Sequence, residues 1–265
     1  MKIIAIHSYK GGTGKTTVAA NLAVILAQAG QKVCLIDYDM RAPNLNFVFN
    51  VGPSKWFNDF LDGRCEIQET FTTVNVGSKK GILALSLSDP ARSEEMIDRR
   101  KERERELESI IKVLVDCLAT LSRQGFDVLL FDTPPGYHVS AANAIVVSNS
   151  ALVVLRPNKS DLAGTRTLVE IIYSRVNALR GNIHLLVNNF VPEKEDPNAD
   201  RRIADSISEA ISYDARVVGV IPHYCELLRA SEEYVHALEN PQHPFVRVLA
   251  DVAGHIGGID SLLRK

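Results

Sequence analysis

The chain has only four cysteines in 265 residues, Cys34, Cys65, Cys117 and Cys225, and no two lie within metal-ligand spacing. That excludes a CxxC zinc or redox motif, and the four read as small apolar residues in a reducing compartment. Charge of one sign is lacking too. The formal net charge is -2, which excludes a chain-wide basic surface for nucleic acid and an acidic tail. No apolar run approaches the roughly 20 residues of a membrane span. The first run, Ile3-Ile4-Ala5-Ile6, is too short for a signal-peptide core and leads straight into a glycine loop. A soluble, cytoplasmic protein is expected. No Pro/Gly/Ser-rich linker and no internal repeat divides the chain, so residues 1–265 are read as a single domain.

Hydrophobic residues make up 46% of the sequence, enough for a sizeable core. Short apolar runs occur at Lys2–His7, Lys32–Ile36, Ile82–Leu87, Phe126–Phe131, Ala151–Leu155, Ile183–Val187 and Val217–Ile221. Segments of helical period separate them, among them Thr16–Ala29 and Leu162–Ala178. Buried strands alternating with helices predict an α/β fold, a mostly parallel twisted sheet with helices on both faces. Two stretches break the rhythm. Residues 41–80 look irregular, with a short helix at Trp56, Phe57, Phe60 and Leu61. Residues 92–124 read as one long helix. It begins with five basic and five acidic residues in Asp98–Glu108 and is apolar from Ile110 to Leu121.

Between the first strand and the first helix lies Lys10-Gly11-Gly12-Thr13-Gly14-Lys15-Thr16-Thr17. Its end matches the phosphate-loop pattern G-x-x-x-x-G-K-[ST], while Tyr9 stands where the first glycine belongs. Gly11, Gly12 and Gly14 allow backbone N–H groups to turn inward around phosphate oxygens. The helix that follows adds its N-terminal donors and the positive end of its dipole. Lys15 can reach the β and γ phosphates, and the Thr16 hydroxyl suits Mg²⁺, which prefers oxygen ligands. Two further strands end in carboxylates: Leu35-Ile36-Asp37-Tyr38-Asp39 and Val128-Leu129-Leu130-Phe131-Asp132. Strand ends beside the first loop face the ligand crevice of an open parallel sheet. One of Asp37 and Asp39 can hold a metal-bound water while the other orients an attacking water. Asp132 reads as the Walker B carboxylate, acting on Mg²⁺. The Pro134-Pro135-Gly136 that follows cannot continue a strand.

The loop K-G-G-x-G-K-T-[ST] resembles the deviant Walker A loop of the ParA/MinD family of P-loop ATPases, of the SIMIBI class. The similarity runs in consistent order from residue 2 to about 235. It implies a P-loop NTPase fold, ATP and Mg²⁺ as ligands, and ATP hydrolysis. It implies that Lys10 reaches across a dimer to the partner's nucleotide. Asp37-Tyr38-Asp39-Met40-Arg41-Ala42-Pro43-Asn44-Leu45 is similar to switch I, with Asp39 on the attacking water and Asp37 in the metal environment. Asp132–Gly136 is similar to switch II, whose backbone senses the γ-phosphate. Asn188, at the end of Leu186-Val187-Asn188-Asn189, matches the asparagine that recognises adenine. Gly219-Val220-Ile221-Pro222 resembles the base-side loop, and Leu227–Ser231 the helix after it. The expected site is therefore catalytic Lys10, Lys15 and Asp39; nucleotide-binding Gly11, Gly12, Thr13, Gly14, Lys15, Thr16, Thr17, Asn188 and Pro222; and metal-binding Thr16, Asp37 and Asp132.

The function so implied is an ATP-dependent homodimer that a protein partner stimulates to hydrolyse ATP, for intracellular positioning, partitioning or partner recruitment. A nucleotide-gated binding module with negligible turnover is the alternative, with a protein- or cofactor-delivery ATPase or a tyrosine autokinase of the same fold. The missing paired cysteines speak against iron–sulfur delivery. The last tyrosine is Tyr234, so the C-terminal tyrosine cluster of the autokinases is missing. Residues 201–265 hold seven basic and nine acidic residues, which disfavours a DNA surface there. Phe245, Val248, Leu249, Val252 and Ile256 share a helical face and read as a core-facing last helix. Peripheral membrane contact through Ile259–Lys265 is the rival. Asn158-Lys159-Ser160-Asp161 spells the guanine-reading pattern N-K-x-D, yet it stands where a helix cap is needed.

Overall fold

The computed structural model describes residues 1–78, 80–92, 103–191, 196, 198–211, 214–229 and 234–257; the side chains of 103–109, 228 and 229 are not described. Strands are β1 (Lys2–His7), β2 (Lys32–Asp37), β3 (Phe71–Val74), β4 (Ile82–Ser86), β5 (Val128–Asp132), β6 (Ser150–Leu155), β7 (Ile183–Phe190) and β8 (Ala215–Pro222). Helices are α1 (Lys15–Gln28), α2 (Leu45–Val48), α3 (Phe57–Leu61), α4 (Arg103–Arg123), α5 (Val139–Val147), α6 (Lys159–Ile171), α7 (Ala199–Ile211), α8 (Cys225–Arg229), α9 (His236–Glu239) and α10 (Pro244–Gly257). The strands form one eight-stranded sheet in the order β3-β4-β2-β5-β1-β6-β7-β8. All pairs are parallel except β3 with β4.

Side-chain alternation assigns the layers. Ile4 and Ile6, Val33 and Leu35, and Val128 and Leu130 join the cluster containing α1 and α10. Their neighbours Cys34, Ile36, Leu129 and Phe131 point the other way, to Leu114, Cys117 and Leu121 of α4. Farther along that second face, Val153, Leu155 and Leu185 meet Leu168 of α6 and Ile207 of α7. Both faces are covered, so the central strands read as continuous apolar runs.

Helix α1 is buried from Val18 to Ala27 because it lies between the sheet and α10, where Phe245, Leu249, Val252 and Ile256 are almost fully enclosed. The last helix thus faces the core, as its pattern predicts. A helix packed on two sides needs small residues, and Ala19, Ala20, Ala23 and Ala27 supply them. Gly81 makes the same accommodation in the chain entering β4: a Cβ there would overlap the carbonyl of Ala27. That carbonyl accepts the N–H of Gly30 at 2.9 Å, so it cannot retreat without opening the end of α1. Gly81→Ala is expected to destabilise the fold by about 2–4 kcal/mol. A lowered urea midpoint at unchanged m-value would report it; a loss below about 0.5 kcal/mol would contradict the overlap.

Two expectations need correction. Residues 41–80 do contain the short helix at Phe57–Leu61, but also the strand β3. Phe71-Thr72-Thr73-Val74 is a short antiparallel edge strand with no fully buried residue, so it lacks the apolar run that marks the central strands. The helix expected at Leu162–Ala178 ends at Ile171 and gives way to 3₁₀ turns at Tyr173–Arg175 and Asn177–Leu179. The helix expected over 92–124 is present at Arg103–Arg123. Residues 93–102, with the first of its charges, lie outside the described residues, as do Ala230, Ser231 and Ile259–Lys265. Among the described residues no helix is long and apolar enough to cross a membrane.

Candidate functional site

Strand β1 lies between β5 and β6, and the connection through α1 leads to β2 on one side while β6 continues the sheet on the other. The carboxyl end of β1 is therefore a topological switch point, where an open α/β sheet forms its ligand crevice. Residues 8–14 occupy it. Gly12 (φ 70°) and Gly14 (φ 88°) take the left-handed backbone that the loop requires. Gly14 is the N-cap of α1 and no side chain caps that end, so helix donors face the crevice. A Cβ on Gly11 or Gly12 would meet nothing within 4 Å, so the cradle has room for an anion. The Thr13 hydroxyl is buried and has no hydrogen-bond partner among the described residues. Tyr9 has no positive φ, which is why this position tolerates a side chain. Its ring lies on Gly164 of α6 and meets Tyr137 edge-on, with centroids 6.0 Å apart.

At the loop's base the predicted residues converge. Lys15 Nζ lies 2.6 Å from Asp132 Oδ1, with both side chains buried. Thr16 Oγ1 donates to Asp132 Oδ2 at 2.7 Å. Asp37 is the register neighbour of Asp132 on the adjacent strand. Its carboxylate accepts the backbone N–H groups of Asn44 and Leu45 at 3.1 Å and of Asp39 at 3.2 Å. This folds the switch I-like segment back onto the strand end. Burial, and then the facing Asp132, push the Asp37 carboxyl well above the usual carboxylate range; the backbone donors and Lys15 act the other way. Asp39 is half-buried at the rim, and its carboxyl is raised by burial and restrained by Lys15. Thr17 is exposed, and its carbonyl accepts the Asn21 amide at 2.8 Å.

Lys10 lies at the loop's other end and reaches α6. Its Nζ donates to Ser160 Oγ at 2.5 Å and stands 3.5 Å from Asp161 Oδ1. Asp161 is buried and pairs with Arg156 at 2.9 Å. Burial works against its ionisation, yet Arg156 and then Lys10 hold its carboxyl below the usual range. Asn158 Oδ1 accepts the Asp161 N–H at 3.0 Å and caps α6. The N-K-S-D spelling thus serves as a cap, and its acid is a counter-ion for Lys10. Asn188, on the opposite side of β1 from β2, donates to the Thr13 carbonyl at 2.7 Å, and its Oδ1 accepts the N–H of Asn189. Its amide braces the loop. Pro222, opposite Phe190 in register, ends the adjacent strand.

The structure adds residues that sequence reasoning passed over. The Arg41 guanidinium stands 3.2 Å from the ring nitrogens of His138, the N-cap residue of α5. This joins the segment after Asp39 to the one after Gly136. His7 is fully buried between Gly136 and Tyr173. No local pattern signals contacts across such sequence separations; a histidine ending an apolar strand was the one visible sign.

The donor set fits Mg²⁺ held jointly with phosphate. Thr16, Asp132 and Asp37 are hard oxygen donors beside an open cradle, and Mg²⁺ is usually held by one or two carboxylates together with substrate phosphates. Among the described residues no group of three or more His, Cys, Asp or Glu side chains is placed to hold a metal alone.

Comparison with known proteins agrees with this geometry. A family described as an AAA domain matches residues 1–185. The septum site-determining protein MinD of Helicobacter pylori is 29% identical over 197 residues, covering 72% of this chain and 68% of that protein. A putative septum site-determining protein MinD of Guillardia theta is 30% identical over 222 residues, covering 83% and 75%. Among solved structures, MinD of Pyrococcus horikoshii complexed with Mg-ADP superimposes with a TM-score of 0.73 at 24% identity, covering 99% of this chain and 97% of that one. At that identity the likeness speaks for the fold.

Proposed function

The chain belongs to the ParA/MinD family of P-loop ATPases, and from that premise we propose that it is an ATP-binding, ATP-hydrolysing dimerisation switch. The observation that carries this reading is the joining of Lys15, Thr16 and Asp132 in one hydrogen-bonded cluster under the glycine loop, with Asp39 and Lys10 at the rim. Lys15 leaves Asp132 for the β and γ phosphates, and the donors of Gly11–Thr17 cradle them. Thr16 and Asp132 would hold Mg²⁺, with Asp37 beside them. The metal, when bound, neutralises charge on the phosphate oxygens. Asp39 orients the attacking water. Asn188 and Pro222 border the base.

Lys10 supplies its charge to the nucleotide of a second copy, so that ATP joins two subunits and hydrolysis parts them. The homologues' naming for septum-site determination supports a role in cytoplasmic positioning, partitioning or partner recruitment, with a protein partner that stimulates turnover. Subunit mass with and without ATP tests the switch. The wild type is expected to dimerise with ATP and Lys10→Ala to stay monomeric. ATP binding to the single subunit should change by less than about 1 kcal/mol, because the Lys10 side chain is 40% exposed and Asp161 keeps Arg156 when the lysine is removed. A Lys10→Ala variant that dimerises like the wild type would sink the role given to Lys10.

A further inference from the structure

His7 is the last residue of β1 and is fully buried, yet the cluster under the loop does not use it. One ring nitrogen, Nε2, lies 3.0 Å from the carbonyl oxygen of Gly136; the other, Nδ1, lies 2.8 Å from the hydroxyl of Tyr173. The carbonyl can only accept, so Nε2 carries the hydrogen. In the neutral ring Nδ1 is then an acceptor, and the Tyr173 hydroxyl must donate to it. Burial pushes the imidazole pKa down to about 3, so the neutral ring is the form present near neutrality. The Gly136 carbonyl thereby selects the tautomer, and the buried Tyr173 hydroxyl, by donating to Nδ1, anchors the ring from its other side.

Gly136 is held twice. Its N–H donates to the carbonyl of Ser8 at 2.8 Å, and its carbonyl accepts from His7. The two anchors are consecutive residues, the last of β1 and the first of the phosphate loop. Thr133, at the other end of the segment, donates through its hydroxyl to Ile6 at 2.9 Å. The segment 133–136 is thus tied to β1 at both ends, and at Gly136 the backbone is left-handed with φ 77°. An apolar residue at position 7 would keep the strand but leave the Gly136 carbonyl without its donor.

We propose that His7, its ring anchored by Tyr173, is a positioning residue that fixes Gly136 and the switch II-like segment against the phosphate loop. The inference rests on the ATPase reading. On that reading the backbone of this segment meets the γ-phosphate, and a misplacement on the order of 1 Å costs up to about a hundredfold in rate. Position 7 therefore governs turnover more than affinity.

The test compares wild type, His7→Leu, His7→Gln and Tyr173→Phe for ATP affinity and for phosphate release per bound ATP. His7→Leu is expected to lose about 30–100-fold in turnover per bound ATP, with affinity within about threefold. Tyr173→Phe removes one oxygen and should lose about 5–10-fold. His7→Gln keeps an amide donor for Gly136 and should recover most of the loss. A purely structural histidine would lower the folded fraction, leave turnover per bound ATP unchanged, and make glutamine no better than leucine; that pattern overturns the proposal. Should His7→Leu not fold, Tyr173→Phe decides: full turnover per bound ATP overturns the proposal. A ¹⁵N spectrum of the wild type showing His7 protonated on Nδ1 in place of Nε2 overturns it as well. A wild type that binds no ATP fails the ATPase reading itself, whereas an active wild type with unaffected variants fails only this inference.

Discussion

Lys15→Ala is expected to lower ATP turnover by about 10²–10³-fold or more, the effect of removing a preorganised group from a developing anionic centre. The expectation comes from the lysine's surroundings. Lys15 is buried, and it lies beside two carboxylates, Asp132 at 2.6 Å and the neighbouring Asp37. On the proposed reading alanine removes the cation that meets the phosphates, and it leaves the acids without their partner. Breaking a buried pair from one side costs about 3–5 kcal/mol. Part of that cost is relieved if one acid keeps its proton, which the upward displacement of Asp37 favours. Loss of turnover and loss of stability should therefore coincide in Lys15→Ala but come apart in the double variant Lys15→Ala/Asp132→Asn. That double variant should recover much of the urea midpoint and none of the hydrolysis. A folded Lys15→Ala retaining more than about a tenth of wild-type turnover would contradict the role of this lysine.

Asp39→Ala should behave in the opposite way. Its carboxylate is half-buried at the rim and is held by backbone N–H groups of its own turn, that of Ala42 at 3.4 Å and that of Arg41. Stability should stay within about 1 kcal/mol of wild type. ATP should still bind, since Lys15, Thr16 and the loop are intact. Hydrolysis should fall by about 10²–10⁴-fold, the usual worth of a positioned general base, and the ATP-bound dimer should accumulate because its exit reaction is blocked. Mass measurement with ATP, followed over hours, checks this: a persistent dimer in Asp39→Ala against a transient one in wild type. Wild-type hydrolysis in Asp39→Ala would remove the residue from the chemistry and turn attention to Asp37.

How much of this was legible in the sequence differs by element. The central strands announced themselves because burial on both faces makes them uninterrupted apolar runs, as at Leu129-Leu130-Phe131. Asp37 and Asp132 were visible because each ends such a run. The glycine loop was visible because its backbone demands glycine at positions 12 and 14. Strand β3 was not, since an exposed edge strand of four residues carries almost no hydrophobic signal. The end of α6 was missed because apolar spacing continues through the 3₁₀ turns after Ile171, where Tyr173 and Leu179 are buried like helix residues. Side-chain partners were the least legible. Lys10 meets Ser160 across 150 residues and His7 meets Tyr173 across 166, and no local period encodes such pairs. The sequence points Asn188 toward the base, whereas its amide bond to the Thr13 carbonyl is visible only in the folded geometry.

The resting contacts of Lys10 bear on the thermodynamics of assembly. Its ammonium is already matched to Ser160 and the Asp161 carboxylate. In the proposed dimer, joining does not create a pairing from two fully hydrated ions. It swaps an intrachain acid for an interchain phosphate, and Asp161 keeps Arg156 after the swap. The net gain is the difference between two attractions, smaller than either. Such an exchange makes assembly reversible: the nucleotide's last phosphate has only to outbid an acid within the chain, and once that phosphate is gone the lysine has a partner at home.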